Sequence, residues 1–369
     1  MASILDNKTV KAFLRAILII AILYLFLLSI KLLGYTFKSF GKEFAEALIT
    51  MTSNPFSGLI IGIVATSLIQ SSSTTTSLVV GLVAGGALTL DTAIPIVMGA
   101  NIGTTITNSL VSFGHITNRV EFKRAFGASI VHDFFNIMAV MVLFPIELFF
   151  QPIKKSAIWL EAMFTNAGGY NAFNPLKYIL DPAIKLLSAF FDLLPLSNIL
   201  LLIFSLFLLF FSLTRLVKVI RSLVITKLEI IVNKYLFKNA LIGFVFGILI
   251  TTVVQSSSVT TSLIIPLAGA GIITVAQLFP YTLGANIGTT VTALLAAMTT
   301  QNHIAVTVAF SHLCFNVFGI VLLYPFKFIP INLAIWVGNK AGESTRNLTI
   351  FIVVYILLHF VPVFFIFLT

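Results

Sequence analysis

Two tetrads of amide and hydroxyl side chains, Gln70-Ser71-Ser72-Ser73 and Gln255-Ser256-Ser257-Ser258, stand 185 residues apart in a chain of 369. Beginning 29 residues after the start of each tetrad comes Gly-Ala-Asn-Ile-Gly-Thr-Thr, at 99–105 and 284–290. At the tip of a helical turn, the Gln amide, Ser hydroxyls and free N–H groups converge, and a helix N-terminus attracts anions. The heptapeptide supplies the complementary chemistry. Its glycines let backbone leave helical geometry and expose carbonyls. Asn101, Thr104, Thr105 and Thr107, with Asn286, Thr289, Thr290 and Thr292, add neutral oxygens. Such a donor set suits sodium and is too poor in carboxylate for a divalent ion. No Arg or Lys lies in these segments. An anion would therefore be held by hydroxyls, N–H dipoles and co-bound cations.

Asp133 is the acid expected deep among apolar residues, where an unpaired carboxylate is costly unless an ion or a proton neutralises it. Its counterpart in the second copy is Leu313. His132 and His312 read first as hydrogen-bonded packing residues, with a proton relay the less favoured role. One carboxylate, two dispersed histidines and the single thiol, Cys314, show no triad or metal-ligand spacing, so the reading is not an enzyme.

These residues belong to a duplication. Residues 62–107 and 247–292 align without a gap, with 23 of 46 positions identical. After a five-residue shift, His132-Asp133-Phe134-Phe135-Asn136 pairs with His312-Leu313-Cys314-Phe315-Asn316. A single Ser-rich stretch is explained by small-residue helix contacts, as Gly58, Gly62, Gly243 and Gly247 would provide. Polar tetrads repeated at matched positions favour a site. Each copy predicts a full span (about 10–34 and 198–223) and a short amphipathic stretch (36–53 and 225–237). A re-entrant hairpin with the tetrad at its tip follows (57–86 and 240–271). A helix broken at the heptapeptide (90–113 and 275–299) and a last span (122–150 and 303–325) complete the copy. The hairpin arms, about 12–15 residues each, are too short to cross.

Composition requires a membrane. Hydrophobic residues make up 59% and charged residues 9%, and mean hydropathy is +1.09. A soluble chain of this size needs far more charge. The first apolar run lacks a clear cleavage site and reads as a retained signal anchor. The net charge of +10 does not point to nucleic acid, because basic residues gather just outside apolar runs. With three crossings per copy, the second copy must be inverted. With the N-terminus in the cytoplasm, 15 of the 22 basic residues fall inside. The fold class is thus an all-α polytopic membrane protein: an inverted repeat of three spans plus one re-entrant hairpin each, with broken helices and an extra C-terminal helix. Repeat one is 1–197, ending in an external loop; inverted repeat two is 198–346; the last helix is 347–369. Inverted repeats with broken helices point to a secondary transporter with its site near the midplane. From the residues alone this is a cation-coupled carrier of a small polar or anionic solute.

The set QSSSTTTS, GANIGTTITN and RAFGASIVHDFFN, echoed by QSSSVTTS and GANIGTTVTA, closely resembles the type II sodium-dependent phosphate cotransporter family across about 55–150 and 240–325. The resemblance implies symport of inorganic phosphate with sodium as co-substrate and no cofactor. It implies phosphate at Ser71, Ser72, Ser73, Ser256, Ser257 and Ser258. The sodium-site expectations are Gln70, Asn101, Thr104, Asp133, Asn136, Gln255, Asn286, Thr289, Thr292 and Asn316. Ala285 replaces a serine frequent in the family, removing one side-chain sodium ligand. The short, cysteine-free segment 151–197 suggests a bacterial-type member in the inner membrane. The sequons at Asn7 and Asn347 fall on the cytoplasmic side and should be unused. Oligomeric state stays open, a homodimer included. The alternative is a sodium- or proton-coupled carrier of another small anion such as a dicarboxylate.

Overall fold

The computed structural model describes residues 8–41, 43, 46, 49–50, 54–235 and 239–360. The described residues form helices and no strand. The amphipathic stretches expected at 36–53 and 225–237 lie partly outside these residues, as do the end of the C-terminal helix and Asn7.

In chain order the helices are α1 Lys8–Ser39, α2 Pro55–Ile69, α3 Ser72–Ala84, α4 Leu90–Gly103, α5 Ile106–Ser112, α6 Arg119–Phe150, α7 Pro152–Asn166 and α8 Gly169–Asp192. They continue with α9 Ser197–Tyr235, α10 Ala240–Val254, α11 Ser257–Ser262, α12 Ile265–Gly269, α13 Val275–Thr300, α14 His303–Leu323, α15 Phe328–Ala341 and α16 Thr345–Phe360. Among the described residues, five stretches are long and apolar enough to cross a membrane: Leu14–Ser39, Leu90–His115, Arg119–Phe150, Ser197–Val219 and His303–Phe326.

Equivalent residues start and stop the helices of both copies. Asn54 caps α2 by accepting from Phe56 N at 2.9 Å, and Asn239 caps α10 by accepting from Leu241 N at 2.9 Å. Thr89 and Thr274 open α4 and α13 with reciprocal capping boxes. Gln70 and Gln255 end α2 and α10 in left-handed conformation, at φ 58° and 57°, and Ser71 and Ser256 then cap the next helix. Both tetrads therefore sit where one short helix turns into another. Helices α2 and α3 are 15 and 13 residues long, within or near the expected arm length. In the second copy the outgoing arm splits into α11 and α12, because Pro266 cannot donate to the helical ladder.

The heptapeptides correct an expectation. The first interrupts its helix, with α4 ending at Gly103 and α5 starting at Ile106. The second does not: α13 runs unbroken for 26 residues from Val275 to Thr300. Its glycines serve contact instead of a break. A Cβ on Gly284 would lie 2.0 Å from Phe244 O, and one on its mate Gly99 would lie 2.0 Å from Leu59 O. Backbone against backbone is what small residues permit in membrane helix pairs. These contacts clamp α4 to α2 and α13 to α10. Although long enough, α13 is not among the five apolar stretches, since Thr and Asn side chains occupy its buried face.

The segment joining the copies also differs from the external loop expected. It folds into α7 and α8, and α7 packs on α14. After the second copy, α15 packs on α6 in the same way. Two large apolar clusters result, one around α6, α13, α14 and α15, the other around α1, α3 and α9, with a small third of Leu33, Phe37 and Ala87.

Candidate substrate site

The two copies exchange their polar tips. Helix α3 lies against α13, while α11 and α12 lie against α5 and α6. Across this crossed packing, Ser73 donates to Gln255 O at 3.2 Å, and its mate Ser258 donates to Thr104 O at 3.2 Å. Thr261 adds a bond to Asn108 Oδ1 at 2.9 Å. Each tetrad thus reaches the other copy.

The heptapeptide asparagines form the centre. His132 Nε2 stands 2.6 Å from Asn286 Oδ1, and His312 Nε2 stands 3.4 Å from Asn101 Oδ1. An amide oxygen only accepts, so each ring carries its proton on Nε2. Asn286 Nδ2 donates to Asn136 Oδ1 at 2.8 Å, and Asn136 Nδ2 donates to Asn101 O at 2.7 Å. The chain His132–Asn286–Asn136–Asn101–His312 therefore stitches the copies together at full burial. Both histidines and Asn136 are 0% exposed, and both heptapeptide asparagines are 3% exposed. The packing role expected for the histidines is the one seen, with a specific partner in the opposite copy.

Around this seam several buried acceptors have no protein donor: Gln255 Oε1, Thr292 Oγ1 and Asn316 Oδ1, with His132 Nδ1 and His312 Nδ1. Buried oxygens left this way are costly unless a ligand or an ordered water satisfies them. All three oxygens are neutral, hard donors of the kind sodium accepts. Asp133 is 4% exposed, and the Tyr355 hydroxyl of α16 interacts with it and with Thr105 and Ser109. Among the described residues no cluster of three His, Cys, Asp or Glu could hold a metal ion.

The expected residues divide into groups. Ser73, Ser258, Asn101, Asn136, Asn286, Gln255 and Thr104 meet at the seam. Ser71 and Ser256 spend their hydroxyls accepting from Thr74 N and Val259 N as helix caps. Ser72 and Ser257 are buried in the first turns that those caps create. Thr289 donates to Ala285 O in its own helix, leaving a lone pair for a ligand. Asn316 anchors its amide on His312 O and turns its oxygen free. Gln70 is set apart: it is exposed and lines a cavity of about 350 Å³ with Ser67, Ser109, Phe351 and Tyr355. Tyr355 escaped sequence reading because α16 lies outside the repeat and has no mate to flag it. The pairing of His132 with Asn286 was beyond reach as well, since nothing in spacing says which copy a side chain faces.

Buried polar groups drawn from two interlocked copies, inside a bundle with five helices able to span, define a multi-pass helical membrane protein. Residues 25–163 and 208–326 match the Na+/Pi-cotransporter family, and the chain belongs to it. It is 33% identical over 425 residues to sodium-dependent phosphate transport protein 2A of Ovis aries, covering 94% of this chain and 66% of that protein. It is 30% identical over 440 residues to sodium-dependent phosphate transport protein 2B of Pongo abelii, covering 93% of this chain and 64% of that protein. The chain thus spans slightly less than two thirds of these relatives. No solved structure matches it.

Proposed function

We propose that this chain is a sodium-coupled symporter that imports inorganic phosphate by alternating access. The observation that carries this reading is the reciprocal seam. Ser73 bonds to the second tetrad's Gln255 O and Ser258 to the first heptapeptide's Thr104 O, so both motif pairs share one buried locus. Two related proteins of the family are named for sodium-dependent phosphate transport, in line with that locus. In this reading the copies are inverted in an inner membrane, with the N-terminus cytoplasmic and the tetrads on re-entrant hairpins entering from opposite faces. Such tips are tolerable at depth only because they are buried in protein.

Phosphate sits at the Ser tips, held by Ser72, Ser73, Ser257 and Ser258 and by the N–H groups that open α3 and α11. Sodium neutralises it from beside Gln255, Thr292, Asn316 and Asp133, with Thr289 and Thr104 adding oxygens. Sodium and phosphate then stabilise each other without any guanidinium, which makes the coupling obligatory: without sodium, Asp133 and phosphate repel. The second copy offers Leu313 in place of Asp133, so one site carries a fixed charge and each cycle moves net positive charge inward.

The test is uptake of radiolabelled phosphate into proteoliposomes with and without an inward sodium gradient. Accumulation above the external concentration, only with sodium, is expected. Equal uptake in potassium would overturn the proposal, and competition by unlabelled dicarboxylates in the same assay separates another anion from phosphate.

A further inference from the structure

The duplication builds a second pair of features away from the seam. A cavity of about 300 Å³ is lined by Lys123, Arg124, Gly127, Ala268, Gly271, Ile273, Thr274 and Val275, with Ile335 and Asn339 of α15. A separate cavity of about 600 Å³ is lined at the equivalent positions by His303, Ile304, Thr307, Val83, Gly86, Leu88, Thr89 and Leu90, with Ile158 of α7, and outside those positions by Lys38 of α1. They are one pocket, built twice. Each joins the loop before a heptapeptide helix in one copy to the start of the last span in the other.

Their walls differ in charge. In the larger pocket the wall position is His303, whose Nδ1 meets Glu161 Oε1 at 2.6 Å, followed by Ile304. In the smaller one the same two positions are Lys123 and Arg124, and neither forms an ion pair among the described residues. The nearest acid in sequence, Glu121, is engaged by His115 and Asn118, and Glu343 beyond α15 is engaged by Lys340. Two adjacent cations without a counter-charge attract an anion. Arg124 is also seated by the backbone. Gly271, at φ +76°, leaves room that a side chain would take, since its Cβ would lie 2.4 Å from Arg124 Nη1. The α13 N-terminus is already satisfied by Thr274 and Gln277, so the two cations and the Asn339 amide carry the recognition.

We propose that the Lys123–Arg124–Asn339 pocket binds a phosphate group, of a free anion or of an anionic lipid headgroup, separately from the transport locus. Arg engages such a group through two N–H donors while Lys adds a point charge. Occupancy would pin α6, α13 and α15 together at one face of the bundle while the sister pocket stays free to change.

Purified protein in sodium-free potassium buffer is titrated with inorganic phosphate in one arm and with short-chain phosphatidylglycerol in the other, following thermal stability. Saturable stabilisation is expected in at least one arm, and which arm responds identifies the source. The double variant Lys123→Gln/Arg124→Gln should weaken the response roughly tenfold or more. Lys123→Arg/Arg124→Lys should keep most of it, and Gly271→Ala should weaken it by displacing the guanidinium. Lys38→Gln/His303→Gln, in the sister pocket, should leave it unchanged. Titrations of the wild type and the Gln double variant that superimpose in both arms would overturn the proposal. No sodium gradient is involved, so a failure of sodium-driven uptake would sink the transport reading alone.

Discussion

The two copies agree in backbone and disagree in charge. Gln70 and Gln255 turn their chains at φ 58° and 57°, Ser71 and Ser256 cap the next helix, and Gly99 and Gly284 each hold a neighbouring backbone at contact. Against that, Asp133 has Leu313 as its counterpart, α4 breaks where α13 continues, Gln70 is exposed while Gln255 is buried, and Lys123–Arg124 stand where His303–Ile304 stand. In the carrier we propose, shared geometry would let two faces exchange roles, and unshared charge would let one direction differ from the other.

The largest expected effect tests the shared part. Gly99→Ala and Gly284→Ala each force backbones apart, and each should cost roughly 3 kcal/mol or more. Thermal unfolding in detergent should show similar losses for both; a loss confined to one would break the equivalence of the clamps. Next comes a pair chosen for unlike wiring. Asn136 bridges Asn286 and Asn101, whereas Asn316 bonds only within its own helix and leaves its oxygen free. Asn136→Ala should destabilise the protein by about 1–3 kcal/mol through the amides it orphans. Asn316→Ala should leave stability nearly intact and raise the sodium concentration for half-maximal uptake several-fold. The reverse assignment would remove Asn316 from the sodium set.

Asp133→Gly should retain some sodium-driven uptake and lose its dependence on membrane potential, measured with imposed potassium diffusion potentials. An unaltered voltage response would detach Asp133 from charge movement.

Much of this comparison was legible in the residues. The tetrads announced helix ends, because each interrupts an apolar segment whose two arms are too short to cross. Glycines were ambiguous: Gly-x-x-x-Gly spacing serves a break and a close contact equally, and only the partner backbone at Gly284 shows which. The join at 151–197 read as a loop because α7 and α8 cover the bundle edge with polar and apolar residues mixed. Tyr355 stayed invisible because duplication, the strongest signal in the chain, does not extend to α16.

The smallest effect lies at the outer edge of the sister pocket. Partial burial pushes the Glu161 carboxyl up, but donors from Thr165, His303 and Tyr170 outweigh it and hold the group below its ordinary value. A depressed folded value gives stability that is present above the unfolded value, about 4.5, and lost as pH falls through the lower folded one. Glu161→Gln should flatten that acid limb of the stability profile, read as melting temperature against pH. A profile identical to wild type would leave the Glu161 cluster without a stabilising role.

The central claim is that both copies build one site through the bond between His132 and Asn286. A double-mutant cycle on sodium-driven phosphate uptake addresses it directly. His132→Ala and Asn286→Ala should each lower uptake roughly tenfold or more, and the double variant should be little worse than either alone. Losses that multiply, with the double variant falling by the product of the two singles, would contradict a shared site and assign the residues to independent roles.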